Sequence, residues 1–100
     1  MATRPTPFGT IRAGQSIGAH LATWRKLLNL PAAVVADRAA ISRSTLSRLE
    51  NGDVKVGFDT VLNVAAALGI RDQIVTAFDP FETDLGRARS DQALPKRVRR

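Results

Sequence analysis

The sequence predicts an all-α fold in which five short helices form one compact domain between a flexible arm and a basic tail. Apolar residues recur three and four positions apart along residues 15–78, which is the spacing of one helix face. Serine, proline and glycine stand where these segments would begin and end. A length of 100 residues also suits one small domain. We therefore divide the chain into an arm at 1–14, a helical domain at 15–78 and a tail at 79–100.

The arm contains two prolines and two glycines and has no periodic apolar face, so it is predicted to be flexible. The first helix should begin at Gln15 or Ser16 and end near Asn29. Its predicted buried stripe has spacings of four, three and four and consists of Ile17, Leu21, Trp24 and Leu28. We expect Trp24 to anchor the core.

The second and third helices are predicted within Leu30–Gly52, with a tight corner between them. Pro31 suits the first helical turn, where the N–H that proline lacks would have no partner. Ser42 is the predicted N-cap of the third helix, which extends from Arg43 to about Glu50. Its two leucines can face inward. The outer face then carries only arginines and serines, namely Arg43, Ser44, Ser47 and Arg48.

An outer helix face with two arginines and no acid before Glu50 differs from the usual mixture of charges on a solvated helix. Arginine can donate to both O6 and N7 of guanine, and serine can bond to bases or to phosphate. This face therefore favours nucleic-acid binding. The alternative is a helix pair whose basic residues only face water.

A fourth helix is predicted from Phe58 to Leu68, ended by Gly69, and a fifth from about Arg71 to Ala77, ended by Asp79 and Pro80. Phe58, Val75 and Phe78 should add to the apolar interior. The predicted core of the five helices consists of Leu21, Trp24, Val35, Leu46, Leu49, Val61, Ala65 and Leu68.

Composition excludes several classes of function. The chain has no cysteine and one histidine, His20, so metal sites and catalytic dyads have little support, and we expect no cofactor, no small-molecule substrate and no enzyme. It has no long apolar run, and we expect a cytoplasmic protein. The net charge of +6 favours an acidic partner. Residues 31–69 are neutral, so the basic face is a local arrangement.

The run AISRSTLSRLENG resembles the second half of the helix-turn-helix of the Cro and lambda-repressor-like family, also called the Xre family. The similarity extends from about Ile17 to Leu68. It implies a compact lambda-repressor-like domain whose recognition helix, from Arg43 to about Glu50, lies in the major groove of double-stranded operator DNA. It further implies a homodimeric transcriptional repressor.

The resemblance also implies roles for single residues. Three match the base-reading positions: Arg43, Ser44 and Arg48. Ser42 matches a contact at the helix start, and Asn51 and Lys55 match positions that often touch phosphate; we expect these three, together with Ser47 on the same outer face, to hold the DNA backbone. Two positions depart from the family pattern. Ala32 replaces the glutamine that often grips phosphate, and Ala40 replaces the glycine of the turn, which is tolerated if its backbone stays out of the left-handed region.

By the same resemblance, Arg25 matches a position that pairs with the glutamate at the end of the recognition helix, here Glu50. Electrostatics agree, because a carboxylate at a helix C-terminus is disfavoured by the helix dipole and favours a nearby cation. We expect an Arg25–Glu50 pair that fixes the recognition helix to the first helix. The alternative is two unrelated surface charges.

The tail and the first-helix sequence QSIGAHLATWRKL resemble antitoxins encoded beside HipA-type serine/threonine kinases, although the tail lacks the C-terminal tryptophan that some of these carry. This resemblance implies the autoregulating antitoxin of a type II toxin–antitoxin module that also neutralises a HipA-like kinase. The alternatives are a phage-type or other stand-alone regulator, or an interaction adaptor that does not bind DNA. The tail itself either attracts phosphate nonspecifically or orders on a partner.

Overall fold

The computed structural model describes residues 4–93, except for the side chains of Asp91 and Ala93. Within this range the chain is all-helical, as predicted. Five helices form the domain: α1 (Phe8–Leu27), α2 (Ala32–Arg38), α3 (Arg43–Glu50), α4 (Phe58–Ala67) and α5 (Arg71–Phe78). A 3-10 turn at Pro80–Glu82 and two short helices, α6 (Asp84–Ala88) and α7 (Ser90–Ala93), follow them.

One apolar core holds the five helices together. Helix α1 packs on α3, α2 packs on both α3 and α4, and α4 packs on α5. The buried side chains are Leu21, Val35, Ala36, Ala39, Leu46, Leu49, Val64, Ala65, Leu68 and Ile70. Burial of each large aliphatic side chain contributes roughly 1.5–3 kcal/mol relative to exposure. Because α3 supplies two of them, its opposite side must face outward.

Helix α1 begins at Phe8, so the prediction of a flexible arm at 1–14 is wrong for residues 8–14. Glycine suggested mobility there, but Gly14 and Gly18 instead allow close packing. A Cβ atom on Gly14 would lie 2.4 Å from Val54 Cγ1, and one on Gly18 would lie 2.4 Å from the carbonyl oxygen of Leu49. Glycine is therefore required at Gly18, where α1 meets the backbone at the end of α3, whereas at Gly14 the Val54 side chain would have to shift.

The predicted stripe on α1 is wrong at three of its four positions. Leu21 is buried, but Ile17, Trp24 and Leu28 are exposed by 50%, 37% and 43%. The inward face instead follows Gly14, Gly18, Leu21 and Arg25, which have the same spacing of four, three and four. Periodicity of apolar residues alone selected the neighbouring face, because glycine and a paired arginine carry no apolar signal.

Three aromatic or aliphatic side chains predicted for the interior are also exposed, namely Phe58, Val75 and Phe78. Val61 is only partly buried against the core. Helix α4 instead buries Val64, with Ala65 beside it. Two of the exposed residues, Phe58 and Phe78, line an open apolar groove between α1, α4 and α5, together with Ile17 and Trp24.

The corners of the domain have left-handed residues. Gly69 adopts φ 79 after α4, as predicted for a C-terminal cap. Ala40 adopts φ 58 between α2 and α3, so the expectation that this residue stays out of the left-handed region is wrong. Its N–H donates to the carbonyl of Asp37, and the N–H of Ile41 donates to that of Ala36. These two bonds cap α2 and require the left-handed turn.

The first part of the predicted tail has local structure. The Thr83 hydroxyl accepts a hydrogen bond from the N–H of Gly86 at 3.0 Å and caps α6. The Arg87 guanidinium donates to the carbonyl of Phe81 at 2.7 Å. The basic run at 96–100 lies outside the described residues. Among residues 4–93, none of the helices combines the length and the apolar character that a membrane span needs.

Candidate nucleic-acid interface

Helix α3 begins and ends where the sequence predicts. The Ser42 hydroxyl accepts a hydrogen bond from the Thr45 N–H at 3.0 Å, which confirms the N-cap. Leu46 and Leu49 are 1% and 6% exposed, and they hold the inner side of the helix in the core. The predicted outward residues of α3 are all exposed: Arg43, Ser44, Ser47 and Arg48.

A shallow depression lies beside this outer face, with a cavity volume of about 560 Å³. Arg43, Ser44 and Ser47 line it together, and Leu46 contributes apolar surface. The start of α2 contributes Ala32. Ala32, where the resembled family often has glutamine, therefore faces the same surface, but the methyl group of alanine offers no hydrogen bond.

Arg48 has a partner that sequence reasoning missed. Its Nε donates to Oδ2 of Asp53 at 2.8 Å, and the two side chains are 50% and 33% exposed. The pKa of Asp53 is lowered, because the carboxylate accepts a hydrogen bond from the N–H of Lys55 and then one from Arg48. Asp53 is therefore charged at neutral pH. The sequence does show an aspartate five residues after the arginine, just beyond the glycine that follows α3, but this spacing alone does not fix the turn that brings the two side chains together.

The residues after α3 extend the polar surface. The side-chain amide of Asn51 donates to the Ser47 hydroxyl at 3.3 Å, which connects these two residues on the exposed face. Lys55 is exposed in the following loop. The arrangement offers hydrogen-bond donors along the helix and a cation beyond its end.

Arg25 and Glu50 are paired, as predicted. Arg25 Nε lies 2.8 Å from Glu50 Oε2, and Arg25 Nη2 donates to Oε1 at 3.0 Å. The side chains are only 16% and 14% exposed. The hydrogen bond to Glu50 raises the pKa of Arg25 above its ordinary value. Arg25 also donates to the carbonyl of Leu30 at 3.4 Å, so one guanidinium connects α1, the corner before α2 and the end of α3.

A family model described as a helix-turn-helix domain matches residues 16–77, which is more than half of the chain and contains α2, α3 and α4 entirely. The comparisons with curated proteins and with solved structures found no match. The matched segment includes all the residues described above as lining or adjoining the outer face of α3.

Proposed function

This chain belongs to the helix-turn-helix domain family, whose partner is DNA, and we propose on that premise that it is a sequence-specific transcriptional repressor. It would bind operator DNA as a homodimer in the cytoplasm and carry out no catalysis. The observation that supports this proposal most directly is the exposed face of α3. Arg43, Ser44 and Ser47 lie together there, and the opposite side of the helix is fixed in the core.

In this proposal α3 enters the major groove, where some of its exposed side chains contact bases and others contact phosphates. Arg43, Ser44 and Arg48 contact base edges, and each bidentate arginine–guanine contact contributes roughly 1–3 kcal/mol of discrimination. Ser47, Asn51 and Lys55 contact the phosphate backbone and fix the orientation of the helix. The Ser42 hydroxyl can donate to a phosphate only by releasing the bond that it donates to Thr45 Oγ1.

Selection of bound duplexes from a random pool, followed by affinity measurements, tests this function. Arg43→Ala should weaken binding to the selected operator by about 1–3 kcal/mol and relax the preference at one base pair. Lys55→Ala should weaken selected and random duplexes alike, because phosphates carry no sequence information. Arg71→Ala removes an exposed arginine from α5 and serves as the control for lost charge.

If Arg43→Ala lost equal affinity for selected and random duplexes, this would contradict the role of Arg43 in base recognition. Salt provides a second measurement on the wild type. A dimer that neutralises about 6–10 phosphates should lose about 10³- to 10⁵-fold in affinity between 50 and 200 mM salt. An adaptor that does not bind DNA would show neither the operator preference nor this salt dependence.

The homodimer is supported by the symmetry that such readers use and by exposed apolar surface. Two recognition helices would occupy half-sites about one helical turn apart, roughly 34–36 Å. Contiguous exposed apolar side chains are typical of association surfaces. The groove between α1, α4 and α5 exposes Trp24, Phe58 and Phe78 in this way.

We also propose that the repressor is the autoregulating antitoxin of a HipA-like kinase. The support is the resemblance of the α1 sequence, and α1 exposes Leu27 and Trp24 to a partner. Coexpression with the product of the neighbouring open reading frame tests this: the chain should form a complex with a kinase and suppress its phosphorylation activity. A neighbouring lysis or integration cassette would favour the phage-type or stand-alone regulator instead.

A further inference from the structure

Asp53 follows α3, and its carboxylate accepts one hydrogen bond at each oxygen, one of them from the side chain of Arg48. Its Oδ2 accepts from Arg48 Nε at 2.8 Å, and its Oδ1 accepts from the backbone N–H of Lys55 at 2.8 Å. Each carboxylate oxygen therefore has a partner. The acceptor for Arg48 is fixed by the loop as well as by the arginine itself.

The turn that carries Asp53 is packed and hydrogen bonded. The N–H of Asp53 donates to the carbonyl of Arg48 at 3.0 Å, which ties the start of the loop to the last turn of α3. Gly52 has φ 87, and a Cβ atom there would lie 2.6 Å from Cα of Gln15. The turn thus rests directly on α1. The backbone of Asp53 cannot move away from Arg48 without disturbing this packing.

The contact occupies Nε of Arg48 and leaves the outer end of the guanidinium available. Among residues 4–93, neither Nη1 nor Nη2 of Arg48 donates a hydrogen bond, and its side chain is half exposed. Two terminal nitrogens in one plane match O6 and N7 of guanine. A guanidinium that is already oriented loses less side-chain entropy when it binds.

We propose that Asp53 is a positioning residue that sets the sequence selectivity of Arg48. This inference rests on the proposed DNA-binding function. Released from Asp53, the arginine can swing to a phosphate, a contact that carries no sequence information. The negative charge of Asp53 also repels phosphates and so opposes nonspecific binding. The pair therefore increases discrimination between base pairs more than total affinity.

Asp53→Asn separates this role from support of the loop. The asparagine has a single carbonyl oxygen, so it can accept from the N–H of Lys55 or from Arg48 Nε but not from both, and in either orientation the carboxylate charge that holds Arg48 is lost. Asp72→Asn removes the same charge from an exposed position on α5 and is the matched control. Affinities are measured for the selected operator, for its single-base-pair variants and for random duplex. Thermal unfolding is recorded for each variant.

Asp53→Asn should lose about tenfold in discrimination at one base pair, within what one bidentate contact contributes. That base pair should be the one that Arg48→Ala relaxes, and the double variant should show no further loss. Binding to random duplex should be at least as tight as that of Asp72→Asn. In the free wild type, hydrogen exchange of the Arg48 Nε–H should be slower than that of Arg71.

Several results would overturn the positioning role. One is unchanged discrimination between base pairs in Asp53→Asn, with or without lowered stability. Another is a loss of discrimination at a base pair whose preference Arg48→Ala leaves intact. The third is an equal rate of hydrogen exchange for the Nε–H groups of Arg48 and Arg71. The exchange measurement needs only the wild type, so it holds even if Asp53→Asn does not fold. If the wild type itself prefers no sequence, the proposed function fails as well. If it selects an operator and Asp53→Asn matches it, only the role of Asp53 fails.

Discussion

Ala40 shows how a single residue at the corner of the two-helix unit limits stability. The left-handed conformation costs a residue with a Cβ atom roughly 1–2 kcal/mol, and glycine avoids this cost. The same change increases the entropy of the unfolded chain, which opposes part of the gain. With φ 58 at this position, Ala40→Gly should raise the free energy of unfolding by about 1 kcal/mol, measured by urea denaturation.

A matched substitution makes the sign of this effect informative. Ala19 is exposed inside α1, where the backbone is right-handed. Ala19→Gly should therefore lower the free energy of unfolding by about 0.5–1 kcal/mol. A loss of stability in both variants would mean that the corner does not strain Ala40.

Residues whose role depends on near neighbours in the chain were predictable. The Ser42 cap, the bounds of α3 and its outward side chains follow from local hydrogen bonding and from the spacing of two leucines. The Arg25–Glu50 pair connects residues 25 positions apart, and only a family resemblance indicated it. Asp53 was missed because its role depends on the path of the turn after Gly52. That path is set by contact with α1, which local sequence does not encode.

At the scale of one element, α1 shows why periodicity failed. A helix face is selected by the partner that covers it, and this partner is the backbone at the end of α3. Backbone can approach a helix closely only where side chains are absent, and α1 has Gly18 at this point; Gly14, one turn earlier, packs on Val54 and on the carbonyl of Gly52 in the loop after α3. The periodicity of apolar residues assigns such a face to the surface, and it predicted Trp24 and Ile17 to be buried instead.

Gly18 provides the test of this packing. A Cβ atom there would lie 2.4 Å from the Leu49 carbonyl oxygen and 2.7 Å from that of Glu50, so α1 and α3 must separate. Gly18→Ala should lower the free energy of unfolding by about 1–3 kcal/mol, the usual range for overpacking. It should also weaken operator binding, because α3 is displaced.

Gly9→Ala is the control for this substitution. Among the described residues, no atom outside the backbone of its own helix lies within 4 Å of a Cβ at Gly9, and alanine favours a helix more than glycine does. Gly9→Ala should leave stability unchanged or raise it by up to about 1 kcal/mol. If Gly18→Ala is as stable as Gly9→Ala in thermal and urea unfolding, the close approach of α1 and α3 is wrong.

For the whole molecule, the all-α class and the order of five helices were predictable, because each helix has its own start and stop signals. Which apolar residues are buried and which are exposed was less predictable from the sequence. Several large apolar residues remain exposed although the core is complete without them, among them Phe58, Val75 and Phe78. An isolated chain does not account for an open apolar groove, whereas the proposed homodimer gives its exposed residues a role.

Phe78 tests whether the groove between α1, α4 and α5 joins two copies. It is 77% exposed and lines the groove, so Phe78→Glu should leave the monomer folded but introduce a charge into an apolar interface. Light scattering should show a dimer for the wild type and a monomer for the variant. Operator affinity should fall steeply, because two half-sites would no longer be bound by one assembly.

Leu27→Glu places the same charge at a side chain that is 71% exposed and does not line the groove. This control should remain a dimer and retain operator affinity, since only a charge within the interface has to be desolvated. Equal loss of the dimer in both variants would indicate a general effect of charge. A dimer that persists in Phe78→Glu would place the association surface elsewhere, and the half-site spacing would then be set by a different pair of faces.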